Sequence, residues 1–563
     1  MNSPTFSRCQ DEALARQRTQ GVAPTCGESL VTLLERYGVQ YVFGIPGVHT
    51  VELYRGLAAS SIRHITPRHE QGAGFMADGY ARVTGKPGVC FIITGPGMTN
   101  IATAMAQAYA DSIPMLVISS VNARRELGSG DGRLHELPSQ RALFAGLTAF
   151  SHTLLDAADL PQVLARAFAV FSSARPRPVH IEIPLDVIVS SAEGLPNEPM
   201  ATAARPAPDA AAIAAAAGRL AQAKRPLILA GGGAIDAGEP LRALAESLQA
   251  PVALTINAKG LLPCSHPLLL GSTQSLPQTR ELVRDADVVL AIGTELGETD
   301  YDTVFDGGFA IDGHLIRVDI DAGQLMRNFR PGTAIAGDAK AALNGLVAAL
   351  GTSRAVESAV WGAARVAGVR AKIDADYDAP TRAQAVLIET LTCTLPGVII
   401  AGDSTSPTYV GNLTHDAAAP RSWFNSSTGY GTLGYGLPAA IGAKLAAPHR
   451  PVACLIGDGG LQFTLPELAS AVEAGAPIIV IVWNNSGYGE IRKYMVARDI
   501  TPVGVDPYTP DFIMLARGFG CVARTADDPT TLAAALKEAA VAKLPTVIEI
   551  READWFAKMG AQA

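Results

Sequence analysis

The chain lacks the cysteine pattern of a cystine-stapled domain. Its seven cysteines stand singly, at Cys9, Cys26, Cys90, Cys264, Cys393, Cys454 and Cys521. No CxxC and no cysteine–histidine cluster occurs, which argues against both a disulfide framework and a structural zinc site. The thiols read as small hydrophobes. Long apolar runs are absent as well: stretches such as Pro477–Trp483 have the length of a strand, well short of the ~20 residues that span a bilayer. Basic charge is not in excess, with 45 Lys and Arg against 53 Asp and Glu and a formal net charge of -8, so a broad nucleic-acid surface is not expected. The first 22 residues have no apolar h-region and read as a polar, disordered extension rather than a secretory signal. These absences leave a soluble cytoplasmic protein with neither nucleic acid nor membrane as partner. What is present is apolar: 48% hydrophobic against 17% charged residues in 563, enough to bury several large cores.

Short apolar runs alternate with helical patterns along nearly the whole chain, which predicts α/β units with parallel sheets. Tyr41–Phe43, Val89–Thr94 and Met115–Ser120 read as strands of a first unit, residues 23–190. A Pro/Ala-rich linker from Glu193 to Asp209 follows. Pro226–Ala230, Asp287–Ile292 and His314–Ile320 are strands of a second unit, 205–350, and Gly397–Ala401, Val452–Ile456, Ile478–Trp483 and Thr546–Ile550 those of a third, 380–555. The expected architecture is three doubly wound parallel-sheet domains.

Three glycine-rich segments carry chemistry. Gly457-Asp458-Gly459-Gly460 closes one apolar strand and Asn484-Asn485 closes the next, with a helical pattern over Leu465–Ala474 between them. In a βαβ unit both polar groups stand at the carboxyl ends of neighbouring strands, where such sheets bind ligands. A carboxylate and an amide oxygen there suit a hard cation such as Mg2+, which takes a diphosphate and water to fill its octahedron. The glycines let backbone N–H groups approach phosphate oxygens. In the second segment, Arg68-His69-Glu70-Gln71-Gly72-Ala73-Gly74, Glu70 precedes a helix over Phe75–Arg82; alone it is as well explained by the helix macrodipole. The third, Gly429 to Pro438, has a backbone able to press against a flat ligand.

Together with Phe43-Gly44-Ile45-Pro46-Gly47 and Gly95-Pro96-Gly97, these segments resemble the thiamine-diphosphate enzymes that include acetolactate synthases, benzoylformate decarboxylases and pyruvate oxidases. The resemblance covers nearly all the chain beyond the extension. It implies a pyrimidine-binding domain, a central Rossmann-like domain and a diphosphate-binding domain, in that order. It further implies thiamine diphosphate and Mg2+ as cofactors, with Asp458, Asn485 and the carbonyl of Gly487 on the metal. Ser404, Thr405, Gly459, Gly460 and Tyr488 are implied as further cofactor contacts. Gly431 matches the carbonyl that holds the 4'-amino group, Leu433 the apolar wedge beneath the bent cofactor, and Glu70 the catalytic acid on the aminopyrimidine. Glu70 and Asp458 would come from different subunits, which implies a homodimer or homotetramer with active sites at the interface.

The reaction is less sharply marked. Where pyruvate decarboxylases carry a histidine pair, this chain has Arg124-Arg125 before Leu127-Gly128-Ser129-Gly130-Asp131. Gln140 loosely matches a glutamine of acetolactate synthases, His49 follows the Phe43–Gly47 turn, and Glu490 falls where relatives place a substrate-facing side chain. A carboxylate at that position would pair well with a guanidinium. Phe43–Leu57 and Leu134–Arg141 resemble 2-ketoarginine decarboxylases of arginine catabolism, which implies decarboxylation of 5-guanidino-2-oxopentanoate to 4-guanidinobutanal and CO2. The alternatives are carboligation of the acetolactate synthase type and a flavin-dependent oxidase. Gly231-Gly232-Gly233 invites a nucleotide only weakly, and a turn kept for packing is the preferred reading.

Overall fold

The computed structural model describes residues 23–302, 307–351 and 361–561. The N-terminal extension, with Cys9, lies outside the described residues. The six described cysteines are all free thiols.

Among the described residues, eighteen strands form three six-stranded sheets. The first holds β1 (Tyr41–Gly44), β2 (Arg63–Ile65), β3 (Gly88–Ile92), β4 (Met115–Val121), β5 (Phe150–Thr153) and β6 (Val179–Pro184), in the order β2-β1-β3-β4-β6-β5. The second holds β7 (Pro226–Ala230), β8 (Val252–Leu254), β9 (Leu269–Gly271), β10 (Val288–Ile292), β11 (His314–Asp319) and β12 (Thr333–Ala336), in the order β12-β11-β10-β7-β8-β9. The third holds β13 (Ile399–Gly402), β14 (Trp423–Asn425), β15 (Val452–Gly457), β16 (Ile479–Asn484), β17 (Val522–Thr525) and β18 (Thr546–Arg551), in the order β14-β13-β15-β16-β18-β17. Every pairing is parallel.

The strand sequences explain this. GVCFI, MLVISSV and IVIVWN are buried at every position, as parallel strands covered on both faces must be. In β7, Ile228 and Ala230 join one apolar cluster, with Leu220, Leu244 and Leu343, while Leu227 and Leu229 join another, with Leu282, Val366 and Ile373. The central sheet is therefore doubly wound. By contacts the chain divides into two compact units: one contains the first sheet, the other both the second and the third.

The first and third sheets share one strand order. In each, the chain runs outward and then returns past its first strand, so the order reverses between β1 and β3 and between β13 and β15. Ligands bind beyond the carboxyl ends of strands at such reversals. In the central sheet the reversal lies between β7 and β10, and the two following turns touch: a Cβ on Gly231 would stand 2.2 Å from the Gly293 carbonyl oxygen, and one on Gly233 2.9 Å from the Gly293 Cα. The triple glycine thus has a packing reason.

Two helices differ from expectation. The helix expected from Phe75 starts at Glu70 and runs to Thr84. Within the span Leu465–Ala474 the helix is Glu467–Glu473, and a separate, unexpected helix, Asp458–Thr464, precedes it and ends before Pro466. The Gly457-Asp458-Gly459-Gly460 sequence is itself a helix start.

Arg317 on β11 is 1% exposed and donates only to carbonyls. One terminal nitrogen meets those of Leu325, Arg327 and Phe329, the other those of Thr294 and Glu295, at 2.6–3.4 Å. It clasps the loops that follow β10 and β11. Arg317→Met should leave these acceptors unpaired and cost about 3 kcal/mol, read as a lowered thermal midpoint; an unchanged midpoint would contradict the clasp.

Candidate active site

In the third sheet, Gly457 is the last residue of β15 and lies in register with Trp483 of β16. Asp458 therefore opens its helix beside the end of β16, where Asn485 follows. Asp458 is 1% exposed, and burial pushes its carboxyl above the usual aspartate range, although backbone N–H groups of Asn485, Gly487 and Gly459 favour the ionised form. The Asn485 side-chain oxygen stands 3.3 Å from Asp458 Oδ1 and 2.8 Å from the Gly487 carbonyl oxygen. Three acceptors thus converge, an arrangement that repels itself unless the amide turns over or a cation sits among them. Oxygens about 2.1 Å from Mg2+ in neighbouring octahedral positions lie about 2.9 Å apart, close to the spacing here. The residues fit a hard divalent ion.

The other cofactor candidates gather around this point. A Cβ on Gly457 would stand 3.0 Å from Thr405 Oγ1, one on Gly459 2.8 Å from the Tyr488 ring, and one on Gly460 2.9 Å from Asp403 Oδ1. Ser404 and Thr405 follow β13, so both strands at the reversal contribute. The Gly431–Gly436 loop is tied to the same place: Thr464 Oγ1 donates to the Gly434 carbonyl at 2.8 Å, and the Gly436 N–H to Asp403 Oδ2 at 2.9 Å. Gly431, at a φ of 76°, holds the left-handed backbone its sequence allows.

Asp403 went unnoticed in the sequence. It is fully buried and also accepts from the Ser404 N–H at 2.9 Å, joining the turns after β13 and before the helix at Gly436.

In the first sheet, Glu70 is the first residue of its helix and 9% exposed. Asn100 Nδ2 donates to its Oε2 at 2.8 Å, and a Cβ on Gly97 would stand 3.3 Å from its Oε1. Glycine at 97 thus keeps one carboxylate oxygen clear while Asn100 holds the other. Asn100 also went unnoticed. His49 lies after β1 with its ring centroid 5.2 Å from that of His135; burial first, and His135 second, hold His49 below the usual histidine range.

Gln140 has a different place from the one its resemblance implies. It is 3% exposed, and its Oε1 accepts from Thr94 Oγ1 and the Gly95 N–H while its Nε2 donates to Ser119, Ser120 and Glu182. That uses the amide's capacity and makes Gln140 a brace for the Gly95 turn. Arg124 is bound to Asp186 and the Leu155 carbonyl, and Arg125 points outward, so neither replaces a histidine pair. Glu490 is half-exposed at the start of the helix Gly489–Val496 and faces Lys493 at 3.7 Å. Its charge also reaches Tyr409, whose hydroxyl burial pushes up to about 12.

Three family descriptions match in order: the thiamine pyrophosphate enzyme N-terminal TPP binding domain over residues 24–143, the central domain over 213–346 and the C-terminal TPP binding domain over 405–550. The "Probable 2-ketoarginine decarboxylase AruI" of Pseudomonas aeruginosa is 51% identical over 94% of each chain. The chain belongs to the thiamine pyrophosphate enzymes. Its cofactor is thiamine pyrophosphate, that is, thiamine diphosphate. More distant members of the family include the acetolactate synthase isozyme 1 large subunit of Escherichia coli, 33% identical over 94% of each chain, and the acetolactate synthase large subunit of Corynebacterium glutamicum, 33% identical over 95% of this chain and 88% of the relative. No helix among the described residues is long and apolar enough to cross a membrane.

Burial raises Asp403 from 3.8 to about 6, with backbone N–H bonds opposing it. A raised folded-state value means that the folded chain takes up the proton first as pH falls. The ionised carboxylate is then a cost to folding above about pH 6, of about 3 kcal/mol at 1.36 kcal/mol per unit. That cost fades between pH 6 and 4. The stability difference between the native chain and D403N should therefore change across this window and be flat above pH 7. A difference constant from pH 4 to 8 would contradict the assignment.

Proposed function

We propose that this enzyme decarboxylates 5-guanidino-2-oxopentanoate (2-ketoarginine) without oxidation, giving 4-guanidinobutanal and CO2, as a cytoplasmic carboxy-lyase of arginine catabolism. Support for the cofactor half comes from the convergence of the Asp458, Asn485 and Gly487 oxygens. Support for the substrate half comes from the 51% relative, set against 33% for the acetolactate synthases, and from a carboxylate at Glu490. Acetolactate synthesis from two pyruvates is the second reading, and those synthases favour it.

In this reading Asp458, Asn485 and the Gly487 carbonyl would hold Mg2+, which would neutralise charge on the diphosphate. Ser404, Thr405, Gly459, Gly460 and Tyr488 would line the diphosphate. The Gly431 carbonyl would accept from the aminopyrimidine, Leu433 would support the cofactor from below, and Glu70 would bond the pyrimidine ring with the oxygen that Gly97 leaves clear. Bound thiamine diphosphate supplies the electron sink that lets CO2 depart. The protein fixes geometry and a tuned acid around it. The active site lies at a subunit interface of a homodimer or homotetramer, with pyrimidine-binding, central and diphosphate-binding domains at 23–190, 205–350 and 380–555. Glu490 leaves Lys493, its exposed and weakly held neighbour, for the substrate guanidinium, a stronger bidentate partner.

Release of CO2 from a panel of 2-oxo acids tests the substrate. The guanidino acid should be preferred, and equal turnover of pyruvate, or acetolactate as product, would overturn the proposal. Glu490→Gln should raise KM for the guanidino acid about tenfold, about 1.4 kcal/mol, and leave uncharged 2-oxo acids unaffected; an unselective loss would remove Glu490 from the pocket. Chelation should abolish activity and Mg2+ restore it. Asp458→Asn should weaken Mg2+ affinity at least about tenfold, measured by titration of activity; full activity in the presence of chelator would exclude the metal role.

A further inference from the structure

Decarboxylation of a 2-oxo acid to an aldehyde needs a proton. When the bond between the carboxylate and the keto carbon breaks, CO2 leaves without the bonding electron pair, and that pair must form a new C–H bond. Arg124 is committed to Asp186 and offers no proton donor here.

Two other histidines meet at the carboxyl end of the first sheet. His49 follows β1 and His135 comes from the loop after β4, 86 positions further along the chain. Their rings lie edge to face with centroids 5.2 Å apart. The Nδ1 of each is buried with no hydrogen-bond partner among the described residues. A buried ring nitrogen left unpaired costs free energy and calls for a function. His135 also holds a φ of 60°, an uncommon backbone for a non-glycine residue. It lies directly on the Gly95 turn: a Cβ on Gly95 would stand 2.6 Å from the His135 carbonyl oxygen. Two residues on, Gly97 flanks the Glu70 carboxylate. The strand reversal between β1 and β3 thus gathers Glu70 and the imidazole pair.

We propose that His49 and His135 form the proton relay of this enzyme, one imidazole N–H delivering the proton to the carbon that has lost CO2. The imidazole then regains its proton from water through its neighbour, so the net reaction consumes one proton and releases one CO2 per 2-oxo acid anion. An imidazole has two ring nitrogens, so one can accept a proton as the other donates. The inference rests on the decarboxylase reading above and on Glu70 as the cofactor's acid.

The test separates proton delivery from CO2 loss. With ferricyanide present, two ferricyanide ions take the electron pair and water supplies an oxygen, so the carboxylic acid forms in place of the aldehyde. His135→Asn, His135→Gln and His49→Asn should each lower aldehyde formation from the 2-oxo acid turned over fastest, by about a hundredfold for His135. Ferricyanide reduction coupled to CO2 release should persist near the native rate. Equal loss of both products, or loss of neither, would overturn the relay. Glu70→Gln serves as the control: it should abolish both, and full activity in that variant would instead overturn the reading of the cofactor site. Bound thiamine diphosphate, measured by fluorescence quenching, confirms that each histidine variant is folded.

Discussion

Oxygens that repel one another lie at the heart of the diphosphate-binding sheet. Asp458, Asn485 and Gly487 bring a carboxylate, an amide oxygen and a carbonyl within 3.3 Å, in a place where burial already disfavours the Asp458 charge. The repulsion is relieved when the Asn485 amide turns over or when a cation sits among the oxygens. β15 and β16 are buried at nearly every position, so the residues that follow them have little freedom to retreat. Asp403 locks the neighbouring turns through backbone N–H bonds. Burial of two apolar strands thus holds a carboxylate, an amide and a carbonyl together at the end of the sheet.

The same strand order in the first and third sheets places the two chemical halves at equivalent topological points. In the third sheet the reversal presents Asp458, Asn485 and a glycine-rich turn; in the first it presents an acid, an imidazole pair and a glycine turn. The central sheet follows a different order and closes its own reversal with glycine against glycine. That contrast fits a middle unit whose glycines serve packing.

Much of this was legible in the sequence. Ten of the strands follow from short apolar runs between helical patterns, and Asp458 and Asn485 stood out because each lies one residue beyond a strand end. What was not legible depends on side-chain partners distant along the chain. Asn100 meets Glu70 across 30 positions and Gln140 meets Gly95 across 45; neither pairing has a periodicity to betray it. His135 was read only as part of a resembling stretch, since nothing local foretells a left-handed backbone or a ring beside His49. Asp403, next to the recognised Ser404 and Thr405, looked like an ordinary turn aspartate until its burial was seen.

The Asn485 amide has two nearly isosteric faces. Turned one way, its oxygen joins Asp458 and Gly487 as a third acceptor; turned the other, its nitrogen donates to both, at 3.3 and 2.8 Å. Half a rotation about a single bond therefore converts a cation cage into a closed hydrogen-bonded knot without moving the backbone. In the second orientation the repulsion is gone, and one side-chain nitrogen joins the Asp458 and Gly487 oxygens.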